Sequence, residues 1–141
     1  MADNKKNNNK VKIWQPTNLY GNYQIGRGTK IGAFCDIGGK IGKNCVIQTM
    51  VSVPPLTIIE DNVFLGPGVR IGNEVFPMSG KLSGVRIKEG AIIGMNSSIR
   101  AGVIIGKNTI IGQHSNVVAD IPDNEVWFGN PAKFYKMRND L

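Results

Sequence analysis

The sequence predicts an all-β fold: a parallel β-helix of about five coils, with one extruded loop and a short C-terminal helix. Three observations carry this. Aliphatic residues recur at every sixth position, as at Ile25, Ile31 and Ile37, then Ile41, Ile47, Val53, Ile59, Leu65 and Ile71, and again from Ile87 through Ile93, Ile99, Ile105 and Ile111 to Val117. Gly usually follows, as at Gly26, Gly32, Gly42, Gly66, Gly94, Gly106 and Gly112. Four places after each aliphatic residue stands a small or β-branched one, such as Thr29, Cys35, Cys45, Val51, Ser97 or Thr109. A period of six fits neither the 3.6 of a helix nor the two of a simple strand. It is the signature of a hexapeptide solenoid.

The elements follow in chain order. Residues 1–12, MADNKKNNNKVK, are polar and low in complexity and predict a flexible basic, Asn-rich tail. The domain is expected over 13–141. Trp14, Tyr20 and Tyr23 are expected to cap the open first coil or to cover a neighbour. With three hexads per turn, the aliphatic residues close into three stacks. The first is Ile25, Ile41, Ile59, Ile87 and Ile105. The second is Ile31, Ile47, Leu65, Ile93 and Ile111, and the third is Ile37, Val53, Ile71, Ile99 and Val117. The corner after Ile37 is two residues short, where Gly38 and Gly39 permit a tight turn. Between Ile71 and Ile87 the chain is ten residues longer than the period needs, which predicts a loop over about 77–86. A loop thrown from a rigid scaffold is a natural seat for function. After Val117 the period stops, and Pro131 reads as the start of a helix over 132–139.

Composition narrows the class. The chain has 141 residues and a net charge of +7, with the positive residues scattered rather than gathered on a basic helix, so no nucleic-acid partner is expected and small polyanions suit it better. No apolar run is long enough for a membrane span, and the N-terminus has no apolar signal core, so a cytoplasmic protein without a membrane partner is expected. Cys35 and Cys45 occupy inward slots of their hexads and read as buried, reduced thiols. Two cysteines and the single His114 supply too few ligands for a zinc site, so no metal is expected.

The repeat as it stands (IGRGTK, IGAFCD, IGKNCV, IGKNTI) resembles the hexapeptide acyltransferase superfamily. That resemblance implies a left-handed β-helix, a homotrimer and acetyl-CoA as co-substrate. The segment IGKNCVIQTMVSVPPLTIIEDNVFLGPGVRIGNEVFP at 41–77 is similar to nucleotide-sugar N-acetyltransferases, which act on 3-amino or 4-amino deoxysugars carried on dTDP or UDP. The matching Asn-acid pair is Asn73 and Glu74, implied to sit at the sugar amine. The segment GNPAK at 129–133 resembles the superfamily's coenzyme A motif, so Asn130 and Lys133 are implied cofactor contacts, with Lys133 meeting a phosphate. The coil count puts Ala101 directly below Asn73. The N–H groups of Ala101 or Gly102 are then the expected oxyanion donors, and Ala119, one coil lower, lies along the expected path of the pantetheine arm.

The sequence departs from its relatives where they often carry histidine: it has Met50, Pro67 and Phe76. A hydroxyl acceptor normally needs a histidine base, whereas a neutral amine attacks a thioester unaided and sheds its proton afterwards. The expectation is therefore an acetyl-CoA-dependent N-acetyltransferase of a nucleotide-linked amino sugar. The alternatives are an O-acetyltransferase of a small sugar or alcohol, and a non-catalytic structural subunit. His114 is placed at a corner near the subunit groove, where a surface or trimer-contact role is expected and a catalytic one is the alternative.

Overall fold

The structure, a computed structural model, describes residues 10–141; residues 1–9, most of the expected tail, lie outside the described residues. It is a parallel β-solenoid of about six turns. Each hexad contributes a two-residue strand whose second residue points inward. All three stacks stand as the period predicts, with parallel register such as Ile25↔Ile41, Ile31↔Ile47 and Ile37↔Val53. The inward residues are almost wholly enclosed: Ile31, Ile37, Leu65, Ile87, Ile93 and Ile105 are 0% exposed. Burying each such side chain contributes about 1.5–3 kcal/mol. The coils are joined by backbone hydrogen bonds, for example from Lys30 N–H to the Cys45 carbonyl at 2.9 Å and from Gly32 N–H to the Ile47 carbonyl at 2.8 Å.

Two expectations are corrected. First, the solenoid is longer than five coils. Lys12–Ile13 and Asn18–Leu19 pair with the second and third stacks, so residues 11–23 are a working coil and not a separate aromatic cap. The reason lies in the sequence: Ile13, Leu19 and Ile25 already keep the six-residue spacing. Val11 is also buried. At the other end Ile121 bridges Ile105, and Trp127 joins the second stack below Ile111.

Second, the expected C-terminal helix is a strand. Ala132–Met137 pairs antiparallel with Glu125–Gly129 in a hairpin, and only Arg138–Asp140 makes a 3-10 turn. An isolated helix of eight residues is marginal in water. The hairpin instead extends the sheet of the second stack and uses the β-forming Phe134 and Tyr135, with the Tyr135 ring edge-on to Phe128. Gly129, at φ +110°, permits its turn.

Cys35 and Cys45 are free and buried, their thiols donating to the carbonyls of Gln48 and Glu60, each at 3.1 Å. Burial pushes both thiols up from their ordinary pKa. Among the described residues no helix is long and apolar enough to cross a membrane.

Candidate functional site

The solenoid has three corner columns, and the one joining the third stack to the first carries every interruption of the period. From the top it holds Tyr20–Gly21–Asn22–Tyr23, then the short turn at Gly38 and Gly39, then Pro54–Pro55–Leu56–Thr57, then the loop, then Arg100–Ala101–Gly102–Val103, then Ala119. The loop leaves after Ile71 and rejoins at Val85, which is buried, so the excursion covers residues 72–84. The pairings Ile71↔Ile99 and Ile99↔Val117 put Asn73 over Ala101 and Ala101 over Ala119, as the coil count predicts.

The hydrogen-bond pattern of the corners marks an amide beneath the loop. Down the other two columns, the third residue of each turn sits in the left-handed region and donates its N–H to a carbonyl of the turn above. Asn44 donates to Arg27, Asn62 to Lys43, Asn96 to Pro67 and His114 to Met95, each at 2.9 Å. Gly102, at φ +81°, holds the same position. Its counterpart carbonyl belongs to Asn73, and that carbonyl accepts instead from Ser83 N–H at 2.8 Å. The loop thus takes away the acceptor, and the Gly102 N–H has no partner among the described residues. The Ala101 N–H beside it, 8% exposed, also donates to none of them, as is ordinary for the second residue of a turn such as Thr49 or Gln113. A free backbone donor beneath a loop can receive a developing oxyanion.

The Asn73 side chain is tied upward, its Nδ2 donating to the Pro55 carbonyl at 3.1 Å. Glu74 faces into its own loop, accepting from Ser79 Oγ at 2.8 Å and from Gly80 N–H at 2.7 Å. Those two bonds, the hydroxyl's first, hold its carboxyl below the ordinary pKa. Asn73 therefore ties the loop's two ends together through its carbonyl, and Glu74 braces the loop from within. Ser83 was not foreseen; it returns over Gly102, where a Cβ would lie 2.8 Å from its Oγ. The stretch SGKLSG at 79–84 has no period to place it, so no signal marked it.

Asn130 lies at the other edge of the third face, where its Oδ1 accepts from Asn116 Nδ2 at 3.0 Å, while Lys133 is exposed on the hairpin opposite Phe128. Asn116–Val117 is the last strand of that face, with Ala119 two residues on at the corner of the loop column, and the hairpin strand Glu125–Gly129 lies one coil further along, paired with Ile110–Ile111. His114 sits at the corner preceding that strand, across the face from the loop column. One chain does not bring it to Gly102. Among the described residues no three His, Cys, Asp or Glu side chains gather as metal ligands.

Residues 84–119 match the family described as bacterial transferase hexapeptide (six repeats). Gamma carbonic anhydrase 2, mitochondrial, of Arabidopsis thaliana is 30% identical over 92% of this chain and 49% of its own. Galactoside O-acetyltransferase of Lactococcus lactis is 36% identical over 60% of this chain and 48% of its own. The chain thus spans about half the length of these curated relatives. Among solved structures, a mutant of perosamine N-acetyltransferase from Caulobacter crescentus, in complex with CoA and GDP-perosamine, superposes with a TM-score of 0.78 at 26% identity. The match covers 89% of this chain and 56% of that one.

Proposed function

We propose that this chain, a member of the hexapeptide-repeat transferase superfamily, is an acetyl-CoA-dependent N-acetyltransferase acting on a nucleotide-linked 3- or 4-amino deoxysugar. The observation that carries the reading is the Gly102 N–H, released from the coil ladder at the base of the only extruded loop among the described residues. The neutral amine attacks the thioester carbonyl, forming the C–N bond. The oxyanion of the tetrahedral intermediate takes the hydrogen bond from Gly102, with Ala101 beside it. Collapse breaks the C–S bond, coenzyme A leaves as the thiolate, and the amine's extra proton passes to solvent or to the thiolate.

Side-chain chemistry at the loop supports an amine acceptor. Glu74 is spent on Ser79 and Gly80 and held ionised, and no histidine stands in the loop. Within one chain a hydroxyl acceptor would be left without a base. Coenzyme A would lie along Ala101 and Ala119 toward Asn130 and Lys133. The site would be closed by a neighbouring subunit of a homotrimer, since one solenoid face offers a ligand a single wall. The likeness to an O-acetyltransferase favours a second reading, transfer to a sugar hydroxyl. Thiol release from acetyl-CoA, measured with matched dTDP- and UDP-linked amino and hydroxy sugars, separates the two. Equal rates on both would overturn the N-acetyl reading.

A further inference from the structure

The loop returns to the solenoid on a locked stretch of backbone, and that stretch carries a hydroxyl to the released amide. Ser83 donates its own N–H to the Asn73 carbonyl at 2.8 Å. The next residue, Gly84, is pressed against the turn above, where a Cβ would overlap the Leu56 carbonyl oxygen. Val85 follows at 1% exposure, its carbonyl accepting from Ile58 N–H at 2.9 Å. Ser83 is therefore held on both sides, yet it is exposed itself. Its side chain turns over Gly102, where the place of a Cβ lies 2.8 Å from Ser83 Oγ. The loop's other serine, Ser79, spends its hydroxyl on Glu74 at 2.8 Å and accepts from Lys81 N–H at 3.1 Å, whereas Ser83 Oγ bonds to no described residue. A β-carbon stands about 2.5 Å from its own nitrogen, so Ser83 Oγ and the Gly102 nitrogen are at most about 5.3 Å apart. One oxygen atom accepting from both at about 2.7–3.0 Å spans that gap. A hydroxyl rotates its proton toward the acceptor that arrives.

We propose that Ser83 is a catalytic residue, the second oxyanion donor beside the Gly102 N–H, an inference that rests on the acyl-transfer reading of this site. As the amine lone pair forms the C–N bond, the carbonyl π pair moves onto the thioester oxygen. That oxygen takes one hydrogen bond from Gly102 N–H and one from Ser83 Oγ–H. The hydroxyl keeps its proton throughout. On collapse the pair returns to the carbonyl, the C–S bond breaks and the thiolate leaves. A hydrogen bond to a charged acceptor is about twice as strong as one to a neutral acceptor, so both donors act more on the transition state than on the bound thioester. The locked backbone supplies what such a donor needs, a position fixed before the charge develops. The loop's other polar groups at its base are already committed: Asn73 Nδ2 to the Pro55 carbonyl, and Glu74 to Ser79 and Gly80. Glycine at 102 fits the same arrangement, since any Cβ there would fill the space between the two donors.

The test uses the full chain and thiol release from acetyl-CoA with the same dTDP- and UDP-linked amino and hydroxy sugars. Ser83→Ala deletes the hydroxyl and keeps the N–H that closes the loop. It should lower kcat about 10²-fold, the lower end for loss of one oxyanion donor, with both KM values unchanged. Ser83→Thr keeps the hydroxyl and should recover kcat to within about tenfold of the wild type. Coenzyme A has no acyl carbonyl, so its affinity by calorimetry should be the same in the wild type and Ser83→Ala. A kcat within about threefold of the wild type in Ser83→Ala would overturn the assignment. So would an equal loss in both variants, or weaker coenzyme A binding in Ser83→Ala, since either would make Ser83 a structural part of the loop. If hydroxy sugars react as fast as amino sugars and Ser83→Ala slows both, Ser83 stands and the N-acetyl reading falls. If Ser83→Ala acetylates amino sugars at the full rate, the N-acetyl reading stands and Ser83 falls. A wild type that releases no thiol with any acceptor removes both.

Discussion

Glu74 and Gly102 make the two predictions that belong to single residues. Glu74 has its pKa lowered by the Ser79 and Gly80 bonds. A depressed folded-state pKa means that its contribution to loop order is present above the ordinary carboxylate range and is lost as pH falls through the lowered value. Glu74→Gln should therefore loosen the loop at neutral pH, read as faster proteolytic cleavage within 74–82, and the wild type should show the same susceptibility only under strongly acid conditions. In transfer assays the variant should lose about tenfold or less, against the roughly 10²–10⁴-fold of a lost general base. A loss in the latter range would make Glu74 the base. Gly102→Ala keeps the N–H but forces a Cβ to 2.8 Å from Ser83 Oγ at a positive φ. It should lower kcat with little change in the KM for acetyl-CoA, because the donor it displaces is used in the transition state. An unchanged kcat would remove Gly102 from the chemistry.

At the scale of elements, the stacks stand or fall on inward residues. Ile93→Ala in the middle of the second stack removes a side chain 0% exposed and should cost about 2–5 kcal/mol, read by denaturant titration. Ser98→Ala, on the exposed side of its strand, should cost little. These stacks were legible in the sequence because one period sets spacing, inward direction and register together. Even the first coil was legible through Ile13, Leu19 and Ile25, although its aromatics drew attention to capping instead. The C-terminal hairpin was not. Its strands alternate too briefly for a pattern, and Pro131 before Ala132 signals a helix start as readily as a turn. The loop's position was visible as surplus length, and Asn73 over Ala101 followed from counting coils. The released N–H group of Gly102 was hidden, because which carbonyl meets which amide depends on where the loop carries Asn73. The hairpin supplies a prediction of its own. Lys133→Ala should raise the KM for acetyl-CoA without lowering kcat, since a remote phosphate contact acts alike on ground and transition states. A fall in kcat at constant KM would misplace the contact.

For the whole molecule, the three faces differ in what they show outward. The third face, beside the loop column, presents Asn18, Asp36, Ser52, Arg70, Ser98 and Asn116. The second presents Val46, Phe64, Ile92 and Ile110 on consecutive coils, with Trp14 nearby. An unbroken apolar column on one side of a regular rod is costly to leave in water and suits contact with another copy. A cyclic assembly would use it while leaving the polar third face free to line a ligand groove. Only such an assembly could bring His114, across that face from the loop, near another chain's Gly102. The expectation is a homotrimer in solution, with Ile92→Glu shifting it toward monomer. The variant should keep its β-type circular dichroism, because Ile92 points outward and the stack behind it is intact. It should lose transfer activity at low protein concentration and recover part of it as concentration rises, since mass action restores the assembly. A wild type that scatters light as a monomer and is fully active would overturn both the assembly and the shared site. A monomeric variant with undiminished activity would show that each chain encloses its ligand alone.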